Sequence, residues 1–316
     1  MVPAGSTLGN FPYLAPRATH RPNLQNSQRV YLTGVGVVSS LGLGKDDFFA
    51  ALTAGKSAVA PIQSFDAAGL GRSYAAEVKD FRATDHMTTA EARRMGRCSA
   101  MTVAAARMAT TDSGLDLAAL AGPRTAVVVG TTMGEADVLE HLDHAWIAGG
   151  ARAVKPSLLP RYGSTLLSIH VARAVGAQGM VVTLPGACAA GNYALGFAAD
   201  LVRTGRADVV IAGAAEIIQE LQFSGFVRLA AMAPEKCQPF DKNRQGLIVG
   251  EGAGIVVLES EAHALRGESQ GRAPFVAEHE PHATLTEAAV AVVEENRMIH
   301  GSRVQRGGVN RAGPCV

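Results

Sequence analysis

The chain has 316 residues, 47% of them hydrophobic and 18% charged, with a formal charge of +1 at neutral pH. That is the composition of a globular protein, long enough for one large domain or two small ones. It excludes a strong global preference for nucleic acid or an anionic membrane surface. The four cysteines, Cys98, Cys188, Cys237 and Cys315, form no Cys-x-x-Cys pair. A zinc ribbon, a thioredoxin-like motif and a disulfide framework are thereby disfavoured, and a reduced, cytoplasmic chain is the default expectation.

Residues 1–28 are rich in Pro, Asn, Ser and Gly and contain no continuous apolar stretch of the kind a secretory signal needs. They are expected to be a disordered extension, and no apolar run reaches the length of a membrane span. From Val30 to Val38 a β-branched, glycine-bearing run predicts a strand. Lys45 to Ala54 predicts a helix with Phe48, Phe49 and Leu52 on one face. Phe65 to Phe81 predicts short strands and loops. Thr88 to Ser113 reads as one long helix, capped by Thr88 or Thr89, with Glu91 in its first turn and Gly114 as its stop.

Further along, Arg124 to Gly130 is a buried-strand pattern followed by a glycine-bearing loop through Met133 and Gly134. Ser164 to Val175 predicts a helix, and Met180 to Leu184 a short buried strand. Pro185 to Cys188 reads as a tight turn and Ala189 to Arg203 as a helix stopped by Gly205. Val209 to Gly213 is another buried strand, and Gly246 to Leu258 predicts two strands joined through Gly250–Gly254. Alternating strands and helices argue for an α/β fold with a largely parallel sheet covered on both faces. After Glu280 one helix, Thr284 to Ile299, precedes an Arg- and Gly-rich stretch without periodicity.

The chemistry concentrates at Val181-Val182-Thr183-Leu184-Pro185-Gly186-Ala187-Cys188-Ala189-Ala190-Gly191-Asn192. A strand runs into a tight turn that delivers a cysteine to the start of a helix. Unpaired N–H groups and partial positive charge at a helix N-terminus favour the thiolate, the nucleophilic form. The Cys188 N–H could also face a developing oxyanion. The alternative is a packed cysteine acting as a small hydrophobe, and the residues alone leave both open.

Gly186-Ala187-Cys188-Ala189-Ala190-Gly191 resembles the active-site cysteine motif of condensing enzymes in the thiolase-like superfamily. Val30 to Leu41 is similar to that family's opening Thr-Gly-x-Gly segment. Ala207 to Glu216 resembles its Ala-Asp-x-x-x-Ala-Gly-Gly-x-Glu strand. Pro239-Phe240-Asp241-Lys242-Asn243-Arg244-Gln245-Gly246, continuing through Gly250–Gly254, resembles its Pro-Phe-Asp hairpin. The order and spacing are those of elongating β-ketoacyl synthases, of fatty-acid type II or polyketide pathways, over about Val30 to Glu278. Ala190 departs from relatives, which often carry Ser or Thr there.

The resemblance implies a thiolase-like layered α-β-α fold, its N-terminal half complete and its C-terminal half largely absent. Residues 29–265 would form the ketoacyl synthase N-terminal domain and 266–316 a truncated or divergent tail. It implies a β-ketoacyl-ACP synthase-type acyltransferase, with Cys188 taking an acyl group from the phosphopantetheine of acyl carrier protein (ACP) before a Claisen condensation with malonyl-ACP. Neither cofactor nor metal is implied. Met133 and Phe226 match positions lining or gating the acyl pocket, with plain core packing as the alternative. Arg152, Lys155 and Arg228 fall where relatives meet acidic ACP, with a solvated surface as the alternative. Relatives pair as dimers through the strand before the cysteine, so a homodimer, or a heterodimer with another ketosynthase chain, is expected.

Relatives also need two histidines, in His-Gly-Thr and Gly-His motifs, to support decarboxylation. His300-Gly301-Ser302 is the nearest string, but it follows a helical pattern rather than a buried strand. His282 falls in a loop-like region, His170 on an apolar helix as a packed residue, and His141 and His144 near a loop at the dimer interface. The chain is therefore expected to be incomplete for decarboxylation. The rival expectation is a catalytically inactive, truncated ketosynthase acting only as a partner-binding fragment. Glu251 and Asp241 are expected to hold turns through side-chain to backbone hydrogen bonds.

Overall fold

The computed structural model describes residues 29–266 and the short strand at 275–276. The expectations for residues 1–28, for the helix at 284–299 and for His282 and His300 lie outside the described residues.

One mixed sheet organises the chain. Its strands are β1 (Val30–Ser39), β2 (Gly42–Leu43), β5 (Thr125–Thr131), β6 (Val181–Pro185), β7 (Val209–Glu216), β8 (Gly252–Ser260) and β9 (Phe275–Val276), and a separate hairpin pairs β3 (Ala60–Pro61) with β4 (Tyr74–Ala75). The order is β2-β1-β8-β7-β5-β6, with β9 also on β1. β5 pairs in parallel with β6 and β7, whereas β8 runs antiparallel to both β7 and β1. Because β8 is reversed between two strands of one direction, β1, β5, β6 and β7 all end at the same edge of the sheet. Ser39, Thr131, Pro185 and Glu216 therefore finish together.

The sheet was expected to be largely parallel; it is mixed. The return strand β8 is responsible. The Gly246–Leu258 segment contains one strand rather than two, since Gly246 to Gly250 makes only isolated bridges, Leu247 to Met232 and Gly250 to Ala76. Gly246 has φ +127° and its Cα lies so close to the Ala231 carbonyl that a Cβ would stand 2.3 Å from it. That backbone cannot lie in a regular ladder.

Helices cover both faces. On one, α3 (Arg97–Ser113) and α6 (Leu166–Val175) bury Met101, Leu167 and Val171 against Val127, Val129, Ile211 and Ile255. On the other, α7 (Ala190–Arg203) buries Ala194, Ala198 and Val202 against Ala126, Val128, Val210 and Ala212. The period-two alternation of β5 and β7 thus serves two cores. α1 (Lys45–Thr53), α4 (Leu117–Leu120) and α9 (Glu261–Ala264) pack at the periphery. A satellite core joins Ala67, Ala75, Phe223, Met232 and Val249.

The long helix expected over 88–113 is two helices. α2 (Thr89–Ala92) starts at a complete capping box, in which Thr88 Oγ1 accepts from Glu91 N and Glu91 accepts from Thr88 N. The chain then breaks, and α3 restarts after Gly96. A Cβ on Gly96 would fall 2.0 Å from Glu135 Oε2. The buried Glu135 carboxylate occupies that space and accepts from Cys98 N and Ser99 N, the first free amides of α3. The interruption is thus made by a residue far beyond Gly96 in the chain, which no local pattern encodes. Four of the described helices, α4, α5 (Ala136–Gly149), α8 (Glu220–Arg228) and α9, stand where no helix was expected, and α5 carries His141 and His144.

Candidate active site

β6 ends at Pro185, and a 3-10 turn over Ala187–Ala189 leads into α7. Ala187 has φ +48°, an uncommon conformation for a residue with a Cβ. It turns the chain sharply, so Cys188 sits exposed just ahead of α7. Ala189 N donates to Gly186 O at 3.1 Å and closes the turn. Small residues permit the seat beneath it: a Cβ on Gly130 would lie 2.3 Å from Ala190 O, and one on Gly186 would lie 2.8 Å from Ala190 Cα. The expected tight turn and helix start are both observed. β6, expected to be buried, is an edge strand with Val181 37% exposed, because no second strand pairs with it among the described residues.

The loop after β5 lies beside this turn. In the β5–β6 register Thr131 stands opposite Pro185, three residues before Cys188, and Met133 follows two residues later. Met133 is half-buried. Its loop is held from β7 by Glu216, whose carboxylate accepts from Thr132 N at 2.6 Å, Met133 N at 3.2 Å, Gly134 N at 3.2 Å and Thr131 Oγ1 at 3.4 Å. Gln219, buried, donates Nε2 to Gly134 O at 3.1 Å. Glu135, fully buried, closes the loop onto α3. Burial pushes its carboxyl up to about 7 against the pull of the Ser99 and Cys98 amides, and nearby Asp137 adds to the rise.

The other candidate residues spread over neighbouring elements. Phe226 lies on α8, partly buried, and packs against the satellite core of Phe223 and Met232. α8 is joined to α5 through Glu140, which accepts from Leu221 N at 2.6 Å. Arg152 lies in the 3-10 turn Gly150–Arg152, Lys155 caps the 3-10 segment Pro156–Arg161, and Arg228 ends α8; all three are exposed, and all three segments pack on α5. His170 is buried on α6, its pKa lowered by burial and by Arg173. Glu251 accepts from Val78 N at 2.8 Å and from Arg97 Nη2 at 2.6 Å, and Asp241 accepts from Asn243 N at 2.7 Å, so both hold backbone as expected.

A cleft of about 520 Å3 opens beside the β1–β2 turn, lined by Ser39, Ser40, Asp47, Glu77, Lys79 and Asp80. Cys188 is not among its lining residues; the thiol opens directly onto the protein surface. No described helix is long and apolar enough to cross a membrane.

Sequence reasoning missed Glu135, Glu216 and Gln219. Glu216 ended a recognised strand motif, but nothing in that motif names its partners, which lie 82 to 85 residues earlier in the chain.

The family model for the β-ketoacyl synthase N-terminal domain matches residues 27–264. The chain is 32% identical to the chloroplastic 3-oxoacyl-[acyl-carrier-protein] synthase I of Hordeum vulgare, over 84% of this chain and 59% of that protein. Among solved structures, the ishigamide ketosynthase/chain length factor aligns with a TM-score of 0.73 and 39% identity, over 77% of this chain and 61% of that one. The AntDE:AntF complex, a type II polyketide synthase acyl carrier protein with its ketosynthase bound to the hexaketide, aligns with a TM-score of 0.67 and 28% identity, covering 77% and 61%. The chain spans about 60% of the length of these relatives. With the cysteine turn, the mixed sheet and the helices on both of its faces, these matches establish that the chain belongs to the β-ketoacyl synthase family and carries its N-terminal domain.

Proposed function

We propose that this chain accepts an acyl group on Cys188 from an acyl-ACP thioester, the first half of a ketosynthase reaction. The Cys188 sulfur attacks the thioester carbonyl, the C–S bond to phosphopantetheine breaks, and the thiol proton passes to the departing phosphopantetheine sulfur. A thioester on Cys188 and a free carrier thiol result. The observation that carries this reading is the exposed Cys188 at a positive-φ turn ahead of α7, inside a ketoacyl synthase domain. The small residues around it leave room for an acyl carbonyl, and the Cys188 N–H at the turn is proposed to face its oxygen.

Met133 and Phe226 are proposed to border the acyl chain, and Arg152, Lys155 and Arg228 to meet the acidic carrier. The pure protein is incubated with acyl-ACP and analysed by intact and peptide mass spectrometry. An acyl adduct on Cys188, absent from C188A, is expected. A folded sample that stays unmodified overturns the reading.

The exposed β6 edge favours a second element of the proposal, pairing with another ketosynthase chain or a second copy. Met180 and Val181 on and beside the strand and Ile169 on α6 are exposed apolar side chains at an unpaired edge. Such edges recruit partners. Sedimentation of the wild type against V181K checks this, and a monomer at all concentrations rejects it.

A further inference from the structure

We propose that Glu216 is a positioning residue that sets which acyl chain lengths Cys188 accepts, by fixing the backbone that carries Met133. This rests on the reading of Cys188 as the acyl acceptor and of Met133 as a residue bordering the acyl chain. The observation is the convergence of three successive amides, Thr132, Met133 and Gly134, on one carboxylate. Backbone amides arranged around an anion form a nest whose dihedrals are set by the anion. Here the anion belongs to the protein. The direction of the Met133 Cα–Cβ bond is therefore defined relative to β7, the strand beside β5.

Three further contacts make this an adjustable joint rather than a simple turn. Gly134 has φ +60°, and a Cβ there would lie 2.7 Å from Ser164 Cβ, so the loop has one tight exit. Gln219 holds Gly134 O, and Glu135 anchors the next residue onto α3. Gln219 and Glu135 thus tie down the far end of the loop, and the β5–β6 pairing at Thr131 holds its near end. Loss of the Glu216 carboxylate leaves β5 and α5 in place and frees the stretch between them, where Met133 sits. The register that puts Thr131 opposite Pro185 makes this stretch the neighbour of the cysteine turn. A glutamine at 216 presents an amide to donors that need an acceptor, so E216Q perturbs the nest with almost no change in volume.

The test uses the full chain with acetyl-, octanoyl- and dodecanoyl-ACP, following the rate of adduct formation on Cys188. In E216Q the dodecanoyl-to-acetyl rate ratio is expected to change by about fivefold or more, the scale on which pocket shape discriminates apolar groups. M133A shifts the same ratio, and adding E216Q to M133A shifts it little further, as coupled positions require. E216D, which keeps the charge, moves the ratio back toward wild type and covers the case of a poorly folding E216Q. Equal loss at every chain length, or an unchanged ratio, overturns the proposal while leaving the Cys188 reading intact. A wild type that accepts none of the three overturns the Cys188 reading and the proposal with it. Hydrogen exchange at residues 132–134 gives an independent readout: faster exchange in E216Q, with α7 unchanged, is expected, and unchanged exchange rejects the proposal whatever the acylation result.

Discussion

Gly130 of β5 and Ala190 of α7 touch backbone to backbone, so closely that a Cβ on Gly130 would stand 2.3 Å from the Ala190 carbonyl oxygen. This contact seats the first turn of α7, and with it the Cys188 turn, on the sheet. G130A is expected to destabilise the protein by about 1–3 kcal/mol through overpacking, and to change the rate at which Cys188 reacts with iodoacetamide. G36A is the control. A Cβ there would lie 1.9 Å from Ala105 O, between β1 and α3 on the opposite face of the sheet. It is expected to lower the urea midpoint without changing Cys188 reactivity. Equal effects on Cys188 in both variants would refute the idea that the Gly130–Ala190 contact places the turn.

The cysteines should separate by reactivity. Cys188 and Cys237 are exposed, while Cys98 is buried on α3 and its thiol is pushed well up by burial, with Glu135 next in effect. Under native conditions Cys188 and Cys237 are expected to be alkylated and Cys98 to remain free until urea unfolds the sheet. Peptide mapping of the labelled protein measures this directly. Native labelling of Cys98 at the rate of Cys188 would contradict the burial of the α3 start.

Most strands and the cysteine turn were legible in the sequence because their signals are local. Val127 to Val129 and Val209 to Ile211 are β-branched runs, and Gly186 to Gly191 is a turn-and-helix signature that also marks the family. What escaped was set by distant partners. Glu135 splits the helix expected over 88–113, and Glu216 holds a loop that lies far before it in the chain. α5 was harder to read because apolar side chains interrupt its solvent face: Leu139, Trp146 and Ile147 are exposed there along with His141, Asp143 and His144, while Val138 and Leu142 are buried.

The capping box of α2 gives an acid-sensitivity prediction. Glu91 is lowered to about 2 chiefly by the Thr88 backbone N–H, then by the Thr88 hydroxyl, with Arg107 adding to the effect. A depressed carboxyl contributes stability that is present above 4.5 and is lost as pH falls from there through about 2. T88A removes the hydroxyl that Glu91 N donates to and is expected to cost about 1 kcal/mol at neutral pH. E91Q cannot ionise at this position, so its Tm is expected to fall less than that of wild type as the solution is acidified. Thermal melts from about pH 6 to pH 3 decide it. A wild-type profile parallel to that of E91Q across this range would sink the prediction.

Glu135 predicts the opposite slope at higher pH. Its carboxyl is raised from 4.5 to about 7, mainly because burial disfavours the charged form. Between these two values the folded protein binds a proton that the unfolded chain releases. Stability from this group is therefore complete below 4.5, falls as pH rises through about 7, and is constant above it. Moving one carboxyl from 4.5 to about 7 corresponds to about 3 kcal/mol across the window. Asp137 is also raised by burial and adds to the slope, while His170, lowered by burial, works against it. The difference between wild-type and E135Q profiles cancels both contributions. The amide side chain introduced by E135Q keeps an oxygen for the Ser99 N–H and cannot ionise. This variant is therefore expected to lose less urea resistance than wild type between about pH 5 and pH 7.5. Parallel profiles in the two proteins would mean that Glu135 is charged throughout and that its seat between Gly96 and α3 is wetter than its complete burial implies.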